Sequence, residues 1–184
     1  MVDSCCKAPF RCSRRLKLYL PGVYDMNLDD TLFEQLRQEA EKSPRLRSHH
    51  NLHNSYDDPV QRLLIAFRKG TYVRPHYHLQ PNKWEMMLVL RGIVRVLLFD
   101  REGAVQQCCE LSQQRPLTGL DIVPGTYHTI FPLTDEAIVL EVKEGPYTPA
   151  VREDFATWAP AEGDRGVARY LEWMEEAGVG DVYC

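Results

Sequence analysis

The stretch GTYVRPHYHLQPNKWEMMLVLRG, residues 70–92, is the most informative part of this chain of 184 residues. It contains a His-x-His pair, His76 and His78, and a lone carboxylate, Glu85, at the start of the next apolar run. A further histidine, His128, follows in the sequence PGTYH. Imidazole suits Zn, Fe, Ni and Cu, and carboxylate also suits Mn and Fe. The pattern therefore predicts a site for one divalent transition metal, whose identity stays open among these five.

Length, composition and charge describe an ordinary globular domain. A chain of 184 residues suits one domain with a sizeable core. The net charge of −4 gives no basic face for nucleic acid, and no apolar run is long enough to span a bilayer. We therefore expect a small-molecule substrate as the partner, with neither nucleic acid nor a membrane.

The cysteines point to a reducing compartment. Their positions do not resemble a disulfide framework, and the N-terminus lacks the apolar core of a signal peptide. This pattern predicts a cytoplasmic protein. Cys5, Cys6 and Cys12 could bind a metal, but chance cysteines in a disordered tail are the simpler interpretation.

The chain divides into three parts. Residues 1–25 are rich in Lys, Arg and Cys without a sustained period, which predicts a disordered segment or an extension. Residues 26–164 form the main domain, and residues 165–184 form a C-terminal helix and tail. The helix is expected at 165–178, with an apolar stripe of Val167, Tyr170, Leu171 and Met174. The main domain opens with a helix that Asn27 or Asp29 can cap and that ends at about Lys42. Its expected buried stripe is Leu28, Leu32, Phe33, Leu36 and Ala40.

Strand patterns dominate the rest of the main domain. Residues 43–59 are polar and are expected to form a loop. After them the apolar period changes to two, and short runs alternate with turn residues. The expected strands are 60–67, 71–78, 85–91, 93–100, 105–111, 120–123, 126–131 and 137–143. The fold is therefore mainly β, an antiparallel sandwich or barrel with an N-terminal helix and a short C-terminal helix.

Strand geometry is expected to bring the metal ligands together. Residues two apart on a strand face the same way, so His76 and His78 should point to one side with Arg74. Glu85 should share a face with Met87 on the neighbouring strand, while His128 comes from a later one. Four ligands leave coordination positions open, which favours chemistry or substrate coordination over a closed structural site.

Several other polar residues are candidates for catalysis or substrate binding. His49 and His50 could act as general acid or base, because imidazole titrates near neutral pH. Lys83 could do the same, because burial can shift the pKa of a lysine. Candidate substrate-binding residues are Arg74, Lys83, Arg62 and His53. Glu141 could accept a hydrogen bond from a ligand imidazole. The competing interpretation is a solvated loop for the histidines and surface ion pairs for the cations.

Two glycine-flanked motifs resemble those of the cupin superfamily. Residues 70–92 have a glycine, five residues, His-x-His, six residues, Glu85, six residues and a glycine; the gap before the glutamate is longer than the family's usual three or four. The second motif survives as Gly125-Thr126-Tyr127-His128, but Pro132 stands where cupins have asparagine. The resemblance implies a single cupin-type β-barrel or jelly roll whose metal ligands are His76, His78, Glu85 and His128.

A narrower resemblance covers residues 26–164. SPRLRSHHNLH, DDPVQRLL, TYVRPHYHLQPNKWE, VLLFD, VLEVKEGPY and WAPAEGD together look like the WbuC family of cupin-fold metalloproteins. Members are associated with bacterial surface-polysaccharide gene clusters, so the resemblance implies a link to polysaccharide metabolism. It also implies a homodimer, because cupins commonly dimerise through their sheets.

These observations favour a metal-dependent cupin enzyme acting on a small polar or anionic, sugar-related substrate. The alternative is a non-catalytic, metal-dependent module that binds or senses a small molecule, because a fold does not define a function. A structural protein with a vestigial barrel is a third interpretation, and it predicts that no metal is bound.

Overall fold

The structure is a computed structural model that describes residues 27–184. The predictions for residues 1–25, including those for Cys5, Cys6 and Cys12, lie outside the described residues.

The first helix, α1, spans Asp30–Lys42 and begins where one of the two expected caps lies. The side chain of Asp29 accepts hydrogen bonds from the backbone N–H groups of Thr31 and Leu32, which satisfies two donors of the first turn. Phe33, Leu36 and Ala40 form the buried stripe. The expectation that Leu28 belongs to it is wrong: this residue precedes the helix and is 44% exposed.

The remaining elements are eight β-strands, a short 3₁₀ helix at Arg152–Asp154 and a second α-helix. The strands are β1 (Arg47–Asn51), β2 (Val60–Arg68), β3 (Glu85–Arg91), β4 (Val94–Phe99), β5 (Val105–Leu111), β6 (Gly119–Ile122), β7 (Tyr127–Pro132) and β8 (Glu136–Glu144). They form a five-stranded sheet in the order β1-β2-β8-β3-β6 and a three-stranded sheet in the order β5-β4-β7.

Every strand pairing is antiparallel, and apolar side chains from both sheets meet in a shared core. The core cluster includes Leu63, Ile65 and Phe67 of β2, Met87 and Val89 of β3, Val94 and Val96 of β4, and Val139 of β8. The protein is thus mainly β, with two antiparallel sheets and two α-helices, consistent with the cupin-type jelly roll that the sequence predicts.

The strand expected at residues 71–78 does not form. Only His76 makes β-bridges there, one to His128 and one to Phe155. Pro75 has no backbone N–H, so this segment cannot make a regular ladder. Its backbone bonds elsewhere, because the N–H of Tyr77 donates to the carbonyl of Asp154 at 2.9 Å.

The polar segment expected to be a loop contains an additional strand. β1 pairs with β2 as the edge of the five-stranded sheet, and His49 lies opposite Ile65. Edge strands carry polar and charged side chains because one side of the strand has no partner. The sequence RSHHN lacks the apolar alternation of an inner strand, which explains why the strand was missed.

The C-terminal helix, α2, spans Val167–Glu176, slightly shorter than the predicted 165–178. Tyr170 and Met174 are fully buried, and they belong to the same core cluster as Leu97 and Phe99 of the smaller sheet. The predicted apolar stripe is therefore confirmed. Neither α1 nor α2 has the length and apolar character that a membrane crossing requires, as judged over residues 27–184.

Candidate metal centre

The structure places the four predicted ligands beside one another. His76 and His78 come from the irregular segment, His128 from β7 and Glu85 from the first position of β3. One ring nitrogen from each histidine lies within 4.8 Å of the others, so one ion can contact all three. Strand parity was the wrong reason to expect this, because the chain is irregular here. The planes of the His76 and His78 rings are inclined at 81° to each other.

Backbone hydrogen bonds hold His76 and His128 together and orient their rings. The two residues bond reciprocally, N–H to carbonyl, at 3.1 and 2.8 Å. Nδ1 of His76 lies 3.0 Å from the carbonyl oxygen of Arg74, and Nδ1 of His128 lies 2.9 Å from that of Thr126. Each Nδ1 must carry the proton to donate to a carbonyl, which leaves the lone pair on Nε2.

Glu85 lies between the histidines. Its Oε1 is 2.9 Å from Nε2 of His78, and its Oε2 is 3.0 Å from Nε2 of His128. The residue is only 2% exposed. Burial opposes ionisation, but the adjacent His128 and His78 hold the pKa of Glu85 well below its usual range.

This set of side chains fits a divalent transition metal. Nε2 of His128 and Oε2 of Glu85 are both buried without a well-directed hydrogen-bond partner among the described residues. Unsatisfied buried polar atoms are costly, and a cation accepting both lone pairs would satisfy them. His76, His78, Glu85 and His128 are therefore the residues that would hold a metal here.

Electrostatics differ between the two buried histidines. Burial, followed by the influence of His128, lowers the pKa of His76 to about 3, so this ring is neutral. Burial also disfavours a charged His128, but the hydrogen bond and charge of Glu85 outweigh it and raise its pKa. In the metal-free protein these directions favour a charged His128 beside an ionised Glu85, and a metal that binds His128 must displace its Nε2 proton.

Lys143 is a neighbour of the centre that sequence reasoning missed. Its Nζ lies 3.3 Å from Oε1 of Glu85 and 2.6 Å from Oε1 of Glu141. Burial works against the ammonium ion, but the two carboxylates raise its pKa above the usual value. Lys143 lies directly opposite Glu85 in the pairing of β8 with β3. The sequence could have indicated it, because Lys143 lies two residues after Glu141 on a predicted strand, and residues two apart on a strand face the same way.

 Glu141 was expected to accept a hydrogen bond from a ligand imidazole, but it pairs with Lys143 instead. The carbonyl oxygens of Arg74 and Thr126 take the role that Glu141 was expected to have. Main-chain acceptors are common partners for ligand histidines, and a sequence pattern does not reveal them.

The centre lies in a cavity of about 490 Å³, which opens along the inner face of the larger sheet. This volume is in the usual range for sites that bind small molecules. The charged residues lining the cavity are Arg45, Arg47, Arg74, Lys83, Glu85, Glu141, Lys143, Asp154 and Glu162. The cavity therefore combines an apolar lining with many charged groups, and it contains more lysine and arginine side chains than carboxylates.

Arg45 and Arg47 are not available to a ligand as free cations. Arg47 is buried, and its guanidinium donates to the carbonyl of Tyr72 at 2.8 Å and to Glu162 at 2.5 Å. Nε of Arg45 pairs with the other oxygen of Glu162 at 2.8 Å. No motif in the sequence indicates this cluster, which connects β1 and the residues just before it to the later segment containing Glu162.

Arg74 and Lys83, both predicted to bind substrate, line the cavity. Nη2 of Arg74 donates to the carbonyl of Ala156 at 2.6 Å, and its guanidinium lies 5.5 Å from the centre of the Phe155 ring. Lys83 is 6% exposed and donates from Nζ to the carbonyl of Pro146 at 2.8 Å. Burial first, and then the nearby Lys143, lowers the pKa of Lys83.

The other candidates divide between the cavity and the outside of the sheet. His49 and His53 line the cavity, whereas His50 and Arg62 do not. His50 follows His49 on β1, and successive side chains on a strand face opposite ways. Arg62 is exposed and donates to the carbonyl of Leu52 at 3.0 Å. His49 and His53 therefore lie where a molecule in the cavity could reach them, whereas His50 and Arg62 lie outside the cavity lining.

His49 and His53 differ in what surrounds the ring. Desolvation, with added repulsion from Arg47, Arg45 and Lys143, lowers the pKa of His49 to about 4, although its side chain faces the open cavity. Nδ1 of His53 accepts the backbone N–H of Arg62 at 3.1 Å. At neutral pH His49 is thus an uncharged imidazole.

Comparison with known proteins gives distant likenesses. Residues 28–111, less than half of the chain, match a family model described as a domain of unknown function, DUF6016. No curated protein matches the chain at a significant level.

Solved structures with a similar fold include the following three. A cupin 2 domain-containing protein from Halorhodospira halophila is 16% identical, with 73% of this chain and 84% of that chain covered and a TM-score of 0.46. KdgF from Halomonas sp. is 20% identical, with 58% and 85% covered and a TM-score of 0.44. An HTH_3 family transcriptional regulator from Vibrio cholerae is 20% identical, with 62% and 60% covered and a TM-score of 0.45.

The match to the Vibrio cholerae regulator spans less than two thirds of that protein. All three TM-scores are below 0.5, so the fold assignment rests on the strand order and register of this chain.

Proposed function

We propose that this protein is a metal-dependent cupin enzyme of the WbuC family that acts on a small, polar, anionic substrate related to sugars. The observation that supports it most is the convergence of three histidine nitrogens and Glu85 at the base of a cavity of about 490 Å³. A structural metal would need no cavity, whereas a catalytic one needs space for a substrate beside it.

The ligand set defines the chemistry that the metal would supply. Zn, Fe, Ni, Mn or Cu bound there would act as a Lewis acid or activate water or dioxygen. His76, His78, Glu85 and His128 would hold the ion, and the carbonyl groups of Arg74 and Thr126 would keep two of the imidazoles oriented.

The cavity lining supports an anionic substrate. Lys83 and Arg74 have no carboxylate within ion-pair distance among residues 27–184, whereas Lys143, Arg45 and Arg47 have carboxylate partners. A buried cation without a counter-ion is costly, and a substrate carboxylate or phosphate would compensate it. The resemblance in sequence adds a sugar acid or sugar phosphate of surface-polysaccharide metabolism in the cytoplasm as the substrate class.

His49 is the candidate general base. It faces the cavity and is neutral at physiological pH, so it has a lone pair to offer to a substrate proton. Lys83 is the alternative acid–base group, and its donation to Pro146 leaves its remaining N–H groups for a ligand.

A non-catalytic binding module is the second proposal, and it uses the same ligands and cavity. An incubation experiment distinguishes the enzyme from the binding module. The metal-loaded protein is incubated with sugar acids, sugar phosphates and nucleotide sugars, and the products are analysed by mass spectrometry. An enzyme converts at least one compound, and His128→Ala abolishes the conversion while an exposed control, Lys69→Met, does not. Binding of a compound without conversion would favour the binding module.

A further inference from the structure

One segment of the cavity wall combines an uncompensated cation with exposed aromatic rings. The cation is Lys83, and the rings are those of Tyr56 and Tyr147; all three residues line the cavity. The backbone links them closely, because Nζ of Lys83 donates to the carbonyl of Pro146, the residue before Tyr147, at 2.8 Å. The N–H of Tyr147 in turn donates to the carbonyl of Tyr56 at 2.7 Å.

Lys83 is a cavity cation with unused binding capacity. An ammonium group has three donors, and one of them is used by Pro146. Arg74, the other cation without a carboxylate partner, already lies over Phe155 and donates to Ala156. Because Lys83 is 6% exposed, water compensates its charge only partly, and an oxyanion from a ligand would do so better.

The two tyrosines present a pair of tilted aromatic rings in the same cavity wall as this cation. Their ring centres are 5.0 Å apart, with an angle of 38° between the planes. Tyr56 is 58% exposed and Tyr147 is 46% exposed, so the rings are open to a ligand. Exposed aromatic rings beside a polar group suit a ligand with one apolar face and one charged end.

We infer that Lys83, Tyr56 and Tyr147 form a subsite for a pyranose ring that bears an oxyanion. The carboxylate or phosphate bonds to Lys83, and the apolar face of the ring packs against the tyrosines. The inference rests on the proposed function, because it takes the cavity as the ligand site, and it adds the residues that select the ligand.

Isothermal titration calorimetry on the metal-loaded full chain tests this subsite with four probes. Glucuronate and glucose 6-phosphate have the ring with a carboxylate or a phosphate, methyl glucoside has the ring alone, and glycolate has the carboxylate alone. The variants are Lys83→Met, Lys83→Arg and Tyr147→Ala, and Lys69→Met is the matched control because Lys69 is exposed and outside the cavity. Circular dichroism checks that each variant folds.

The expected pattern separates the two contacts. Lys83→Met weakens binding of the anionic sugars by roughly 10- to 100-fold, the loss expected for one charged hydrogen bond, and Lys83→Arg restores part of it. Tyr147→Ala weakens all three ring-containing probes by roughly 2- to 10-fold and leaves glycolate unchanged. Tighter binding of glucuronate than of glucose 6-phosphate identifies the anion as a carboxylate, and the reverse identifies a phosphate.

Three results would overturn the inference. They are the absence of binding for all four probes, a Lys83→Met variant that binds like Lys69→Met, and a Tyr147→Ala variant that loses glycolate as strongly as glucuronate. Metal analysis of the same samples distinguishes failure of the proposed function. If the wild-type protein takes up no metal, that function fails, and the same titrations of the metal-free protein still decide the subsite.

Discussion

Replacement of Lys143 by methionine should destabilise the metal-free protein strongly. The ammonium group lies 3.3 Å from Glu85 and 2.6 Å from Glu141, and both carboxylates are buried. Methionine keeps most of the volume but removes the charge, so the two carboxylates repel each other without compensation.

The size of the loss follows from the burial of the pair. Removal of one partner of a buried ion pair costs about 3–5 kcal/mol. The Lys143 side chain is 18% exposed, which allows some solvent screening, so we expect about 3 kcal/mol, the lower end of that range. A bound divalent metal would supply positive charge to Glu85, so the loss should be smaller in the metal-loaded protein.

Urea unfolding at pH 7.5, followed by circular dichroism, measures this change in the free energy of unfolding. Lys69→Met is the matched control, and Glu141→Gln combined with Lys143→Met should recover part of the lost stability because it removes one of the two carboxylates. A metal-free Lys143→Met protein within about 0.5 kcal/mol of the wild type, the usual range of surface substitutions, would refute the electrostatic account of this site.

Three further predictions follow from other parts of the structure. His49 has a pKa of about 4 in the folded protein, below its ordinary value, so the unfolded chain binds a proton first as the pH falls. The free energy of unfolding of the wild type should therefore fall relative to that of His49→Gln between pH 6.5 and 4, by roughly 1 kcal/mol after allowance for the exposure of the ring. Urea unfolding measures it, and equal pH profiles for the two proteins would contradict the prediction. Gly92 has a φ of +74°, and an added Cβ would lie 2.3 Å from the carbonyl oxygen of Glu136. Gly92→Ala should therefore lower the midpoint of thermal unfolding markedly. An unchanged midpoint would count against this turn geometry. Metal affinity, measured by competition with a chelator, should fall as the pH drops below about 6.5, because bound imidazoles must be neutral; flat affinity from pH 7 to pH 5 would argue against histidine ligation.

The metal-ligand cluster was accessible to sequence reasoning because its residue types are chemically distinctive. His76, His78, Glu85 and His128 lie close together in the structure, although strand parity was the wrong reason to expect this. Pro75 interrupts the expected strand, and the position of His76 comes instead from its paired backbone bonds to His128. Sequence patterns report side-chain chemistry well and irregular backbone poorly.

The surroundings of the cluster could not be predicted in the same way. β1 is a polar edge strand, so its residues lack the apolar alternation by which strands are recognised. The partner of Lys143 depends on the register between β8 and β3, and the acceptor for Lys83 is a carbonyl oxygen of Pro146. Contacts of both kinds depend on tertiary structure and leave no local pattern.

Elemental analysis of the purified full chain is the most direct test of the metal centre. The wild-type protein should contain about one divalent transition metal ion per chain, as a single four-ligand site requires. His76→Ala and His128→Ala should each lose most of it, while Lys69→Met retains it. Full metal content in both histidine variants, or a wild-type protein that takes up no metal when it is supplied, would contradict the account.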